Sequence, residues 1–148
     1  MKAMRVHAYG DRLDEPMVLD EIPEPRPGPG ELLIKVKAVG VNPVDLSIRR
    51  GLANYVSHLE LPHLLGSEIS GEVVDWGENV SGFDRDEKVF GYDGQREAYA
   101  EYVVLKADFV SRLPDGVSFS DGAALSVAFQ TAWHALVIQA KAGPGETV

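Results

Sequence analysis

Cysteine is absent from all 148 residues. That excludes a disulfide framework, a thiolate nucleophile and any cysteine-based zinc site, and it leaves a metal only histidine and carboxylate ligands. Long apolar runs are also lacking: no stretch of about 18 such residues occurs. Met1 opens directly into the alternating segment Ala3-Met4-Arg5-Val6-His7-Ala8-Tyr9, without a charged and apolar leader, so a cytoplasmic protein is expected. Basic residues are in the minority, 14 against 23 acidic ones, for a formal net charge of −9. Such a surface repels phosphate backbones and anionic membranes, and no local cluster of Lys and Arg offsets it, so neither nucleic acid nor membrane is expected as a partner. No internal repeat and no low-complexity tract is present.

What is there suffices for one core: 45% of the residues are hydrophobic, and the length suits a single domain. Up to Phe109 the chain consists of short β-branched and aromatic runs punctuated by Gly, Pro, Asn and Asp, which predicts a mainly β fold with a few helices. Strands are expected near residues 3–9, 17–24, 31–39, 69–76, 87–92 and 98–105. The stretch from Glu24 to Glu31 is too rich in Pro and Gly for regular structure and reads as an exposed loop leading into Leu32-Leu33-Ile34-Lys35-Val36-Lys37-Ala38-Val39. A helix is expected from Asn42-Pro43-Val44-Asp45, where Asn caps, Pro suits the first helical position and Asp45 lies near unpaired N–H groups; Gly51 should end it. After Pro114-Asp115-Gly116 the pattern changes. Ser118 or Ser120 can cap a short helix through Ala124. Phe129, Trp133, Leu136, Val137 and Ala140 then recur at helical spacing, closed by Gly143-Pro144-Gly145.

Several ordered blocks carry a family resemblance. They are Ala38-Val39-Gly40-Val41-Asn42-Pro43-Val44-Asp45, Leu65-Gly66-Ser67-Glu68-Ile69-Ser70-Gly71-Glu72-Val73-Val74, Glu87-Lys88-Val89-Phe90-Gly91, Glu97-Ala98-Tyr99-Ala100-Glu101-Tyr102-Val103-Val104, Leu113-Pro114-Asp115-Gly116 and Gln130-Thr131-Ala132-Trp133-His134-Ala135-Leu136. Each alone is weak, but together, in this order, the chain resembles the N-terminal, GroES-like (alcohol dehydrogenase-like) domain of medium-chain dehydrogenases/reductases. The Asn-Pro-x-x-Asp pattern at Asn42, Pro43 and Asp45, with Arg49 and Gly51 after it, is similar to the zinc-independent quinone oxidoreductase branch. The resemblance implies a partly open β-barrel without the family's Rossmann domain. Residues 1–125 are then the GroES-like catalytic domain, and residues 126–148 a linking helix and the start of a dinucleotide-binding domain that is cut short. One local departure is Asp86-Glu87-Lys88-Val89, where the family has Gly first and so a residue free to take a positive φ.

Zinc-dependent alcohol dehydrogenases carry Cys, His and Cys at the positions matching Asn42, Ser67 and Val127, and a cysteine-rich lobe between the positions of Gly91 and Ala98; neither set is present here. His7, His58, His63 and His134 have no metal-ligand spacing, so no metal is expected. Without zinc, hydrogen-bond donors must stabilise negative charge developing on a substrate oxygen. The resemblance assigns that role to Asn42, with the helix cap as its plainer reading. Tyr55 lines the substrate cleft or donates a proton to an enolate, or is an ordinary loop tyrosine. Ser67 and Glu68 stand where the zinc enzymes have His-Glu, so Glu68 either backs the cleft or pairs with a nearby cation. Asn42, Pro43 and Thr131 are the candidates for contact with the cofactor, Thr131 having as its alternative a bond to a carbonyl one turn back. Phe129 and Trp133 read as core or interdomain packing.

The function implied is that of an NADPH-dependent, zinc-independent oxidoreductase reducing quinones or α,β-unsaturated carbonyls, homodimeric as a full-length parent. This chain holds no Gly-rich turn between a strand and a helix to take a pyrophosphate, and is expected to be inactive by itself. The alternative is a non-catalytic GroES-like module that binds a partner or small molecule.

Overall fold

A computed structural model describes residues 1–10, 17–52, 59–92, 94 and 97–147. Its strands are β1 (Lys2–Val6), β2 (Val18–Glu21), β3 (Glu31–Val39), β4 (His63–Leu64), β5 (Glu68–Trp76), β6 (Lys88–Tyr92), β7 (Tyr102–Lys106) and β8 (Val110–Arg112). The helices are α1 (Pro43–Arg49), α2 (Phe119–Ala123) and α3 (Val127–Trp133), the last prolonged through His134–Gln139 by wider π-type turns. Two antiparallel sheets result, one ordered β2-β1-β4 and the other β7-β3-β5-β6-β8. Strands β7 and β8 end the larger sheet without pairing to each other, so the barrel stays open, as expected for a mainly β GroES-like fold.

The larger sheet holds the core. Leu32, Ile34, Ile69, Val73, Val89, Val103 and Leu105 are all buried and form one cluster. Strict alternation would bury every second residue of β3, yet Leu32, Leu33 and Ile34 are buried in succession. A register shift against β5 between Leu33 and Ile34 advances the phase of the strand at that point. A second, smaller cluster of Val6, Ile48 and Leu65 seats α1 against β1 and the residue that follows β4. The two sheets are stitched where Met4 N–H donates to the Tyr99 carbonyl (2.8 Å) and Glu101 N–H to the Lys2 carbonyl (3.0 Å).

Several expected boundaries shift for local reasons. Strand β2 stops at Glu21 because Pro23 and Pro25 have no N–H to extend a ladder. The strand expected at residues 98–105 begins only at Tyr102, because the N–H groups of Ala98 and Tyr99 turn to the carbonyls of Gly66 and Leu65. Strands β4 and β8, of two and three residues, are too short to carry a periodic signal and were not expected. Ser118 caps α2, accepting the Asp121 N–H, and Gly51 ends the α1 turn at φ 76°. Asp86 takes the left-handed backbone conformation (φ 64°) that a family glycine would take, so the departure leaves the turn itself intact.

Candidate functional site

The site is assembled where β3, α1, β5 and α3 meet. Pro43 opens α1 and Asp45 stands in its first turn, its carboxylate Oδ2 accepting the Asn42 backbone N–H at 2.8 Å. That much follows from local helix chemistry. The same carboxylate reaches further: Oδ1 accepts the Gly66 N–H at 3.2 Å, and Oδ2 accepts the Tyr99 hydroxyl at 3.1 Å. Asp45 is only 2% exposed, so these donors replace the water it would otherwise bind. Burial, then the nearby charge of Asp45 and the hydrogen bond to it, push the Tyr99 phenol well above its ordinary range, with Glu68 adding to the effect. Gly66, at φ 89°, makes the approach possible, since a Cβ there would overlap the Tyr99 ring.

A second buried carboxylate sits beside the first. Glu68, the first residue of β5 and 3% exposed, accepts the Asn42 side-chain Nδ2–H on Oε1 at 2.8 Å and the Val127 backbone N–H on Oε2 at 2.7 Å. Val127 is the first residue of α3, so Glu68 satisfies one of the N–H groups that the start of a helix leaves unpaired. Among the described residues, Glu68 thus meets two amide donors rather than a cation. Ser67 precedes it and is also 3% exposed.

The structure thus brings together Asn42, Ser67, Glu68 and Val127. Asn42 is half-buried, and Pro43 is exposed beside it at the start of α1. Thr131 lies on α3, exposed, four residues beyond Val127; that spacing puts it on the same side of the helix, about 6 Å further along the axis. Tyr55 and His58 lie outside the described residues. The remaining histidines stand apart: His7 pairs with Asp20 at 2.7 Å, His63 bonds the Leu64 carbonyl at 2.8 Å, and His134 stands near Gln139. The hydrogen bond and charge from His7, with Arg5, hold the Asp20 carboxyl below its usual range. Among the described residues, no group of three His, Asp or Glu side chains is placed to hold a metal ion.

Sequence reasoning missed Tyr99 and the reach of Asp45. A tyrosine in an alternating β-type segment signals packing, and nothing in the local pattern announces a partner 54 residues away. Phe129 and Trp133, read as core or interdomain packing, are 57% and 51% exposed and stack on each other at 6.1 Å, so they are not part of this chain's core. From Ala128 to Lys141 every residue is exposed, so the apolar stripe of α3 is largely uncovered by the described part of the chain.

Residues 28–115 match the alcohol dehydrogenase GroES-like domain. The chain belongs to that family. It is 37% identical over 151 aligned residues to the quinone oxidoreductase of Mus musculus, with 100% of this chain and 44% of the relative covered. Among solved structures, the quinone oxidoreductase from Coxiella burnetii aligns with a TM-score of 0.88 at 32% identity, over 99% of this chain and 47% of that one. The Escherichia coli quinone oxidoreductase complexed with NADPH aligns with a TM-score of 0.82 at 27% identity, over 92% of this chain and 40% of that one. The chain therefore spans less than half the length of these relatives. No helix among the described residues is long and apolar enough to cross a membrane.

Proposed function

We propose that this chain is the substrate-side, catalytic part of an NADPH-dependent, zinc-independent oxidoreductase that reduces quinones or α,β-unsaturated carbonyls. The observation that carries the reading is the Glu68 carboxylate holding Asn42 and the first turn of α3 together. That arrangement sets a polar amide from α1 beside the helix that bears Thr131. The names of the relatives supply the reaction class, and the NADPH complex of the Escherichia coli enzyme supplies the cofactor.

The residues present suit the nicotinamide end of such a cofactor. Asn42 keeps one side-chain N–H for a ligand, and the exposed Thr131 hydroxyl both donates and accepts. Pro43, also exposed, offers a flat apolar surface beside them. The cofactor, when bound, supplies the hydride. The remaining Asn42 N–H then stabilises charge growing on the substrate oxygen. A metal has little to bind here: at the three positions where the zinc enzymes place ligands, Asn42 and Val127 direct N–H groups at Glu68, and N–H groups do not ligate cations. The pyrophosphate has no cradle among the described residues, so the chain by itself is inactive. In this reading residues 1–125 form the catalytic domain and residues 126–148 link it to a dinucleotide-binding half, in a cytoplasmic, homodimeric parent that binds neither nucleic acid nor membrane.

The test is Asn42→Ala in a chain extended by a dinucleotide-binding half. Turnover falls about tenfold or more while NADPH affinity changes by less than about threefold, read from kcat and from nicotinamide fluorescence. Unchanged turnover removes Asn42 from the chemistry. A second reading, a non-catalytic binding module, draws on an open apolar groove of about 580 Å³ lined by Met4, Met17, Leu19, Val36, Val39 and Val41. Saturable capture of a ligand there, with no reductase activity in the extended chain, would favour it.

A further inference from the structure

We propose that Glu68 is a positioning residue whose carboxylate fixes the orientation of the Asn42 amide and couples that orientation to the placement of α3, in a space that Gly40 leaves open. The proposal deepens the reading of Asn42 as a substrate-facing group and takes its importance from that reading, but the coupling itself is a property of the geometry.

The terminal torsion of an asparagine is soft and nearly two-fold, so an unrestrained amide exchanges its nitrogen and oxygen readily. Here Nδ2 lies 2.8 Å from Glu68 Oε1. A flip would bring Oδ1 against the carboxylate oxygen and turn a charge-assisted hydrogen bond into a repulsion between two acceptors. Glu68 is 3% exposed, so little water is at hand to soften that contrast. The amide is thereby held with one N–H inward, and the direction of its second N–H is defined.

The other carboxylate oxygen holds the Val127 N–H at 2.7 Å. A carboxylate is planar and rigid, so its two oxygens cannot be displaced independently. Movement of the first turn of α3 turns the group and carries the Asn42 contact with it. From Ala128 onward α3 is exposed, which makes the Val127 bond a principal tie between the helix and the body of the fold.

Gly40 is the third part. Its N–H donates to the Glu68 carbonyl at 3.0 Å, and a Cβ on it would overlap Glu68 Oε1, Cδ and Cγ. The carboxylate is seated against a bare Cα, so any larger residue at this position must push it off Asn42.

Nitrogen-15 NMR of the 148-residue chain tests the coupling directly, through the Asn42 side-chain NH₂ pair and the Val127 backbone N–H. Glu68→Gln offers one oxygen where two donors converge, so one of the two contacts must break. The Asn42 pair or the Val127 signal shifts, and solvent exchange at the released group rises roughly tenfold. Gly40→Ala shifts the Asn42 pair with Glu68 itself unchanged. Asn42→Ala removes the donor to Glu68 Oε1 and moves the Val127 amide although Val127 and Glu68 are themselves unchanged, and this half-buried change serves if either of the others fails to fold. The proposal is overturned if folded Glu68→Gln and Gly40→Ala chains leave the Asn42 pair and the Val127 signal in place, or if Asn42→Ala leaves the Val127 signal in place. A Glu68 that only supported the fold would lower Tm without these linked shifts. Loss of the reductase reading, through absent NADPH-dependent turnover in an extended chain, would leave every one of these signals unaltered.

Discussion

Strands β3 and β5 of the larger sheet and helix α3 were all expected from the pattern of apolar residues, yet the chain treats them in opposite ways. In the sheet, β3 and β5 bury Leu32, Leu33, Ile34, Ile69 and Val73 and pair with neighbours on both edges. In α3 and its π-type continuation, Phe129, Trp133, Leu136, Val137 and Ile138 repeat just as regularly and stay exposed. Periodicity reports which face a segment would bury, and the rest of the chain decides whether anything is there to bury it against. The point where the two regions join is polar, at Glu68 and Val127.

The contrast can be broken at several strengths. Ile34, 0% exposed, lies at the centre of the core cluster, and Ile34→Ala lowers unfolding stability by about 3–4 kcal/mol, measured by urea titration. Asp45→Asn keeps the volume but replaces an acceptor oxygen with an NH₂ group that faces donors. It costs about 2–3 kcal/mol and loosens the Gly66 and Tyr99 contacts, visible as faster amide exchange at Gly66.

A smaller effect concerns pH. The Tyr99 phenol is raised in the folded chain, so its contribution to stability is complete below the unfolded value near 10. Above that pH the unfolded phenol ionises while the folded one stays neutral, and stability falls as pH rises toward the folded value. In Tyr99→Phe, stability between pH 9 and 11 declines less steeply than in the unsubstituted chain, as thermal unfolding would show; equal slopes would argue against the buried Asp45 contact. The smallest effect belongs to the exposed helix. Phe129→Ser with Trp133→Ser changes stability by less than about 0.5 kcal/mol, and a loss of several kcal/mol would mean that this face is covered in solution.

Local chemistry was legible, and distance was not. The Pro- and Gly-rich loop, the run from Glu31 to Val39, the Asn-Pro start of α1 and its end at Gly51 all follow from signals within a few residues of one another. The first-turn role of Asp45 was legible for the same reason, but its bonds to Gly66 and Tyr99 cross 21 and 54 residues and leave no local trace. Asn42 and Glu68 were identified as site candidates through the family resemblance. That they bond each other, and that Val127 completes the set, is a consequence of β3, β5 and α3 converging. The stripe of α3 was legible, and reading it as core or interdomain packing left open what covers it, because a buried stripe and an uncovered one are spelled alike.

The central claim is that the chemistry of a reductase sits in these residues while the phosphates of its cofactor are held elsewhere. Its most direct test is to titrate NADPH into the 148-residue chain and into the same chain joined to a dinucleotide-binding half, following nicotinamide fluorescence together with quinone reduction. The account predicts no saturable binding and no turnover in the first, and saturable binding with turnover in the second. Tight binding by the shorter chain alone, or a longer chain that binds NADPH and reduces nothing, would contradict it.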